Sequence, residues 1–377
     1  MDLEFTTDQD ELRTSVRAVL ARECPPSFVR EVVEKGAPAG DLWSSMVDLD
    51  WPALTIDPAY GGLGLGFIEL AVVVEELGRA IAPGPFLPTV SQFVPGIREA
   101  GTAAQHERFL GDVAAGRITG TLAVAEESGS WAGEDVALVA RRHGNDWILD
   151  GSKHYVVEGA TVAELVVAAR LDGTEGSDGL ALFIVPREAV VATPLQTLDA
   201  SRQYATVDLD GVTVGPDRTL GEPGRCAPVL ARVIEEASTA LALEMVGTCQ
   251  SIFDIALEHA KTREQFGAPI GSFQAMKHKF ADMFVALESA RALCYFASAT
   301  LAEDDERRSL AVAMAKAAAG DCQRLLVQEG IQSLGGIGFT WEHDMHLYVK
   351  RAKSGDAVFG TARQHRARVA ELSGLSY

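Results

Sequence analysis

The sequence predicts a mainly helical fold of the α+β class: an N-terminal α-helical domain over residues 1–116, a central antiparallel β-domain over 117–227 and a C-terminal four-helix bundle over 228–377. Three features predict it. Apolar residues recur at helical spacing towards the C-terminus, as Leu241, Met245, Ile252 and Ile255 do, and again as Met276, Phe280, Met283 and Leu287 do. Between about Arg117 and Val214 the period changes from 3.6 to 2. After about Pro228 the helical stretches exceed roughly 20 residues and are joined by short turns, the pattern of an antiparallel bundle.

Taken in order, Thr6 and Thr7 are candidate caps for a helix over residues 8–22, which Cys24-Pro25-Pro26 breaks. A second helix over 41–49 leads to Asp57-Pro58-Ala59-Tyr60-Gly61-Gly62-Leu63-Gly64-Leu65-Gly66. Its glycines resemble a dinucleotide loop, but no buried strand and no acidic residue ~20 positions on frame them as one, so a flexible connector ahead of a helix over 67–80 is expected. Short β-type runs follow at 119–124, 136–141, 147–150, 154–157, 165–169, 180–185 and 205–209, separated by turn sequences such as Asp150-Gly151-Ser152. Long Ala- and Leu-rich helices are expected over 229–262, 274–302 and 308–332, the last stopped by Gly335, Gly336 and Gly338.

Composition narrows the function. Hydrophobic residues make up 47% of the chain and mean hydropathy is +0.08, values that suit a chain able to bury a large core. The apolar runs stop short of the ~20 residues of a membrane span, and Met1-Asp2-Leu3-Glu4-Phe5 lacks a basic leader, so the chain reads as cytoplasmic. A net charge of -20, from 33 basic and 53 acidic residues, argues against nucleic acid and anionic membranes as partners. Cys24, Cys226, Cys249, Cys294 and Cys322 form no Cys-x-x-Cys pair and read as reduced core thiols. His343 and His346 stand at i, i+3, but no further ligand cluster joins them and no metal is implied.

The stretch from Thr262 to Gln274 bridges two long helices, with Gly267, Pro269 and Gly271 breaking the helical pattern. It sets a planar cation, Arg263, and an aromatic ring, Phe266, at the end of a helix, where a phosphorylated, ring-containing ligand could be received. With Arg263-Glu264-Gln265-Phe266-Gly267 continuing into Pro269-Ile270-Gly271-Ser272-Phe273-Gln274, with Ala281-Asp282-Met283, and with Gln332-Ser333-Leu334-Gly335-Gly336-Ile337-Gly338, the chain resembles the acyl-CoA dehydrogenase family over essentially its full length.

That resemblance implies FAD held between subunits, an acyl-CoA substrate dehydrogenated between its α and β carbons, and an electron-transfer flavoprotein as electron acceptor. It implies cofactor contacts at Arg263, Gln265, Phe266, Ile270, Phe273, Gln332, Gly335, Gly336 and Thr361, and in the β-domain at Ser130, Tyr155 and Val157. The first motif and the Gln-x-x-Gly-Gly turn belong to the half-site that one subunit of the family lends to its neighbour's flavin. Arg263 suits bidentate bonds to a pyrophosphate, and Gly335 and Gly336 allow close backbone approach.

Departures from the family pattern concentrate elsewhere. The usual catalytic glutamate stands in a Tyr-Glu-Gly-Thr-like turn, and the matching turn here is Val358-Phe359-Gly360-Thr361, so the base position holds Phe359. The alternative base position, on the first bundle helix, falls on Ala237, next to Glu236; one residue along a helix turns a side chain by about 100 degrees. The CoA arginine corresponds to Ser238, the flavin-bonding threonine to Ala125, and the Trp-x-Thr wall to Tyr155-Val156-Val157. An intact lent half-site beside an eroded pocket resembles a subunit of the bacterial heteromeric (α2β2) enzymes, often of steroid or bulky acyl-CoA catabolism, paired with a catalytic paralogue. Two rival readings are a self-sufficient homo-oligomer using Glu236 or Glu244, and a flavin-free binding or scaffold protein.

Overall fold

The computed structural model describes residues 4–176 and 178–375. Helices Thr7–Glu23, Pro26–Lys35, Gly40–Asp48 and Phe67–Arg79 open the chain. Thr6 caps the first through a capping box, its Oγ1 accepting the Gln9 N–H while Gln9 Oε1 accepts the Thr6 N–H. The Cys24-Pro25-Pro26 break ends that helix but also starts the next, because Pro26 at the first helical position lacks only an N–H that would go unbonded anyway.

The glycine-rich connector is not loose. Gly62, Leu63, Gly64 and Leu65 donate backbone hydrogen bonds to Asp57, Ala53, Ile56 and Leu54 respectively, and a Cβ on Gly62 would lie 1.9 Å from the Ile56 carbonyl oxygen. The expected flexible linker is thus a tight loop in which Gly62 is required by close backbone approach.

The described chain divides into two compact units, one made of 1–37, 67–82 and 238–377, the other of 38–66 and 83–237. The second unit contains the sheet: β1 (Gly120–Ala123), β2 (Val139–His143), β3 (Asp146–Val157), β4 (Glu164–Leu171), β5 (Leu180–Pro186), β6 (Val191–Leu195), β7 (Tyr204–Val214) and β8 (Thr219–Gly224). Its order is β6-β7-β3-β2-β4-β5-β8, with β1 paired to β4. The sheet expected to be antiparallel is mixed, since β4 runs parallel to both β1 and β2. Two expected runs, 147–150 and 154–157, are one strand, β3, carried past irregularities between Leu149 and Gly151 and between Lys153 and Val156. One sheet face packs Leu122, Val166, Leu182 and Ile184 against Phe93, Ile97 and Phe109 of the helical stretches at 86–100 and 103–114.

In the first unit, helices Ala227–Thr262 (from residue 238 on), Gln274–Ala302, Arg308–Leu334, Met345–Ala357 and Ala362–Leu372 build the bundle. By length and composition Ala227–Thr262 matches a membrane span; most of that window is buried in the fold, which accounts for its apolar character. All five cysteines are free and buried.

Candidate cofactor half-site and base positions

The bridge after helix Ala227–Thr262 is a miniature hairpin. Arg263 N–H still bonds the His259 carbonyl, Glu264 and Gln265 pair antiparallel with Pro269 and Ala268, and the Ile270 N–H returns to the Arg263 carbonyl at 2.8 Å. A two-residue turn of this kind needs positive φ at both central residues. Gly267 meets that freely at 80°, and Phe266 adopts 56°. The turn thrusts Phe266 into solvent with 94% of its surface exposed, edge-on to the Phe273 ring at 6.2 Å. Among the described residues the Arg263 guanidinium, also exposed, takes part in no hydrogen bond or ion pair, in a molecule where most arginines are paired. Gln265 is exposed and Ile270 half-buried on the same short segment.

Gln332, Gly335 and Gly336 lie at the exposed end of helix Arg308–Leu334. Gly335 has φ 65 and ψ -141, a region open essentially to glycine alone. Around Gly336 a Cβ would meet no atom within 4 Å, so no packing within the chain requires glycine there. Unpaired Arg263, a bare aromatic and an open Gly-Gly backbone fit the phosphate, ring and adenosine parts of a dinucleotide.

The β-domain positions fit less well. Ala125 and Val157 are buried and bring no hydroxyl. Tyr155 sits at φ 56 and is partly exposed. The Ser130 hydroxyl donates to Asp135 at 2.5 Å and accepts the Ala132 N–H, so it is already spent. Lys153, which sequence reasoning passed over, pins this segment: its buried ammonium donates to the Val124 carbonyl at 2.9 Å and to Glu126 at 2.7 Å. Burial pushes Lys153 down to about 8.

None of the candidate base positions offers a carboxylate free of ion pairs. Phe359 is 4% exposed, in a left-handed conformation (φ 56) that costs a non-glycine residue on the order of 1 kcal/mol. Glu236 is buried, with one oxygen accepting from Arg98 Nη2 at 2.5 Å and Arg232 Nε at 3.0 Å. Glu244 is buried against Arg351 Nη1 at 2.9 Å, itself only 2% exposed. Thr361 caps helix Ala362–Leu372, its Oγ1 accepting the Gln364 N–H. The Phe359 turn also rests on Lys316 and His365, neither singled out by motif; a lone lysine within the Ala-rich run 311–319 was the available signal.

Comparison with known proteins places the chain in a family. The family model of the acyl-CoA dehydrogenase N-terminal domain matches residues 6–117, and that of the C-terminal domain matches 228–373. The chain is 30% identical over 363 residues to "Acyl-CoA dehydrogenase IpdE2" of Mycobacterium tuberculosis, covering 95% of this chain and 94% of that one. In fold it is similar to butyryl-CoA dehydrogenase from Megasphaera elsdenii (TM-score 0.93, 24% identity, 99% of this chain and 100% of that one). A chain of the ChsE4-ChsE5 complex from Mycobacterium tuberculosis matches with TM-score 0.90 and 23% identity, each covered in full. The protein belongs to the acyl-CoA dehydrogenase family of flavin-dependent oxidoreductases.

Proposed function

We propose that this chain is the flavin-site-completing subunit of a heteromeric acyl-CoA dehydrogenase, working beside a paralogous subunit that supplies the base. The observation that carries this reading is the state of the base positions: one holds Phe359, and the nearby glutamates 236 and 244 are held by Arg98 and Arg351. Proton abstraction needs a carboxylate within hydrogen-bond reach of the substrate carbon acid, and a carboxylate bound to guanidinium is a poor acceptor for it.

In this reading FAD, when bound, supplies the ring that accepts hydride from the acyl-CoA β-carbon. Arg263 would hold its pyrophosphate with two parallel N–H donors, and Phe266 would cover an aromatic or ribityl face. Gln332 and the Gly335-Gly336 backbone would receive the adenosine end, and Thr361, Gln265, Ile270 and Phe273 would complete the surround. These residues bind and orient; the proton leaves to the paralogue. An acyl-CoA thioester as substrate, an electron-transfer flavoprotein as acceptor, and the three-part division at 116 and 227 belong to the same proposal. Its assay is α,β-dehydrogenation of a CoA thioester by the chain alone and by the chain co-purified with its paralogue. Turnover is expected only in the second; full turnover by the chain alone contradicts the role.

A further inference from the structure

We infer that Lys316 is a positioning residue whose buried ammonium, donating to the carbonyls of Gly355, Asp356 and Gly360, locks the turn that presents residue 359 and Thr361. The three acceptors lie 3.1, 3.2 and 2.8 Å from Nζ. An ammonium has three N–H donors and no more, so the match is complete.

Several features make this more than packing. Lys316 has no exposed surface and, among the described residues, no carboxylate in direct ion-pair contact; its ammonium is held by three backbone carbonyls, with the Asp356 carboxylate acting on it from further off. A methionine would fill similar space without the desolvation cost, so the lysine's distinguishing contribution is its donors. Two of its acceptors end helix Met345–Ala357 and the third, Gly360, lies in the turn that follows, so one group ties the helix end to the turn. The intervening carbonyl, that of Phe359, is taken by His365 Nε2 at 2.8 Å. Consecutive carbonyls at 359 and 360 are therefore held by different side chains, which helps keep Phe359 at φ 56 and Gly360 at 97°. The titratable groups facing Lys316 are Asp356, whose carboxylate accepts the Ala362 N–H, the Cys294 thiol, and His365. Burial first, against Asp356, brings the lysine down to about 8.

The bearing of this clamp on cofactor binding rests on the subunit role proposed above; the clamp itself does not. Hydrogen-exchange protection factors of the amides at 356–362 test it in the flavin-free full chain. Lys316→Met should lower them about tenfold, the factor one ordinary hydrogen bond represents, while helix Gln274–Ala302 keeps its protection. In the wild type the same loosening should appear as pH rises through about 8, when the amine loses a donor, and should be absent from Lys316→Met. Unchanged protection in Lys316→Met, or a loss shared evenly with helix Gln274–Ala302, overturns the inference. Should that variant not fold, the wild-type pH series decides alone, and a flat profile overturns it. Failure here leaves the subunit role standing, because no flavin enters the measurement.

Discussion

Phe359 keeps the backbone of a residue on display while its ring is buried, and the carboxylates near it in sequence logic are structural. Glu236 joins Arg98, 138 positions away in sequence, and Glu244 joins Arg351, 107 positions away. Glu244→Gln should therefore destabilise the chain by roughly 3 kcal/mol, since it leaves a buried guanidinium uncompensated. Glu236→Gln should cost about 2 kcal/mol, less because Arg98 is partly exposed. Chemical denaturation checks both, and a neutral result for either would mark that carboxylate as functional. Arg263→Ala should behave oppositely: no change in flavin-free stability, with flavin retention by the assembly falling about 10- to 100-fold, as loss of a charge-assisted contact implies. That the candidate base position 359 carries no carboxylate is legible as a single letter of the sequence. The ion pairs were not, because partners so far apart in sequence leave no local pattern.

At the scale of elements, helices with caps read well: Thr6 and the breaks at Pro26 and Gly335 mark real boundaries. Strands β6 and β8 were missed because each carries a proline, Pro194 or Pro223, which depresses strand propensity and is tolerated at the two sheet edges they occupy. Parallel pairing of β4 with β1 and β2 could not be read, since alternation of apolar residues does not encode direction. The Phe359 turn makes a prediction at this scale. Burial pushes His365 down to about 4, so the unfolded chain binds its proton between that value and the usual 6.5 while the folded chain does not. Stability then rises with pH through that window and falls as acid is added from about 6.5 towards about 4. His365→Gln should flatten this part of the stability profile, read by thermal unfolding at a series of pH values. The glycine loop offers a second check: Gly62→Ala drives a Cβ into the Ile56 carbonyl and should cost more than about 1 kcal/mol.

For the whole molecule, the bundle unit leaves Phe266, Ile337 and Phe339 exposed, the last by 83%, and among the described residues the Arg263 guanidinium of the candidate half-site has no hydrogen-bond or ion-pair partner. Large bare aromatics of this kind are usual where a further subunit or ligand is received. The bridge sequence named that candidate site, while the bonding of the β-domain positions, Ser130 to Asp135 and Lys153 to Glu126, is not something spacing reveals. The most direct measurement is bound flavin per chain, by absorbance after gel filtration, for this protein alone and with its paralogue. The account predicts little or no FAD and no stable tetramer alone, and a tetramer retaining FAD once the two are mixed, with loss of that FAD on Arg263→Ala. A homotetramer carrying one FAD per chain, or a mixed assembly carrying none, would contradict it.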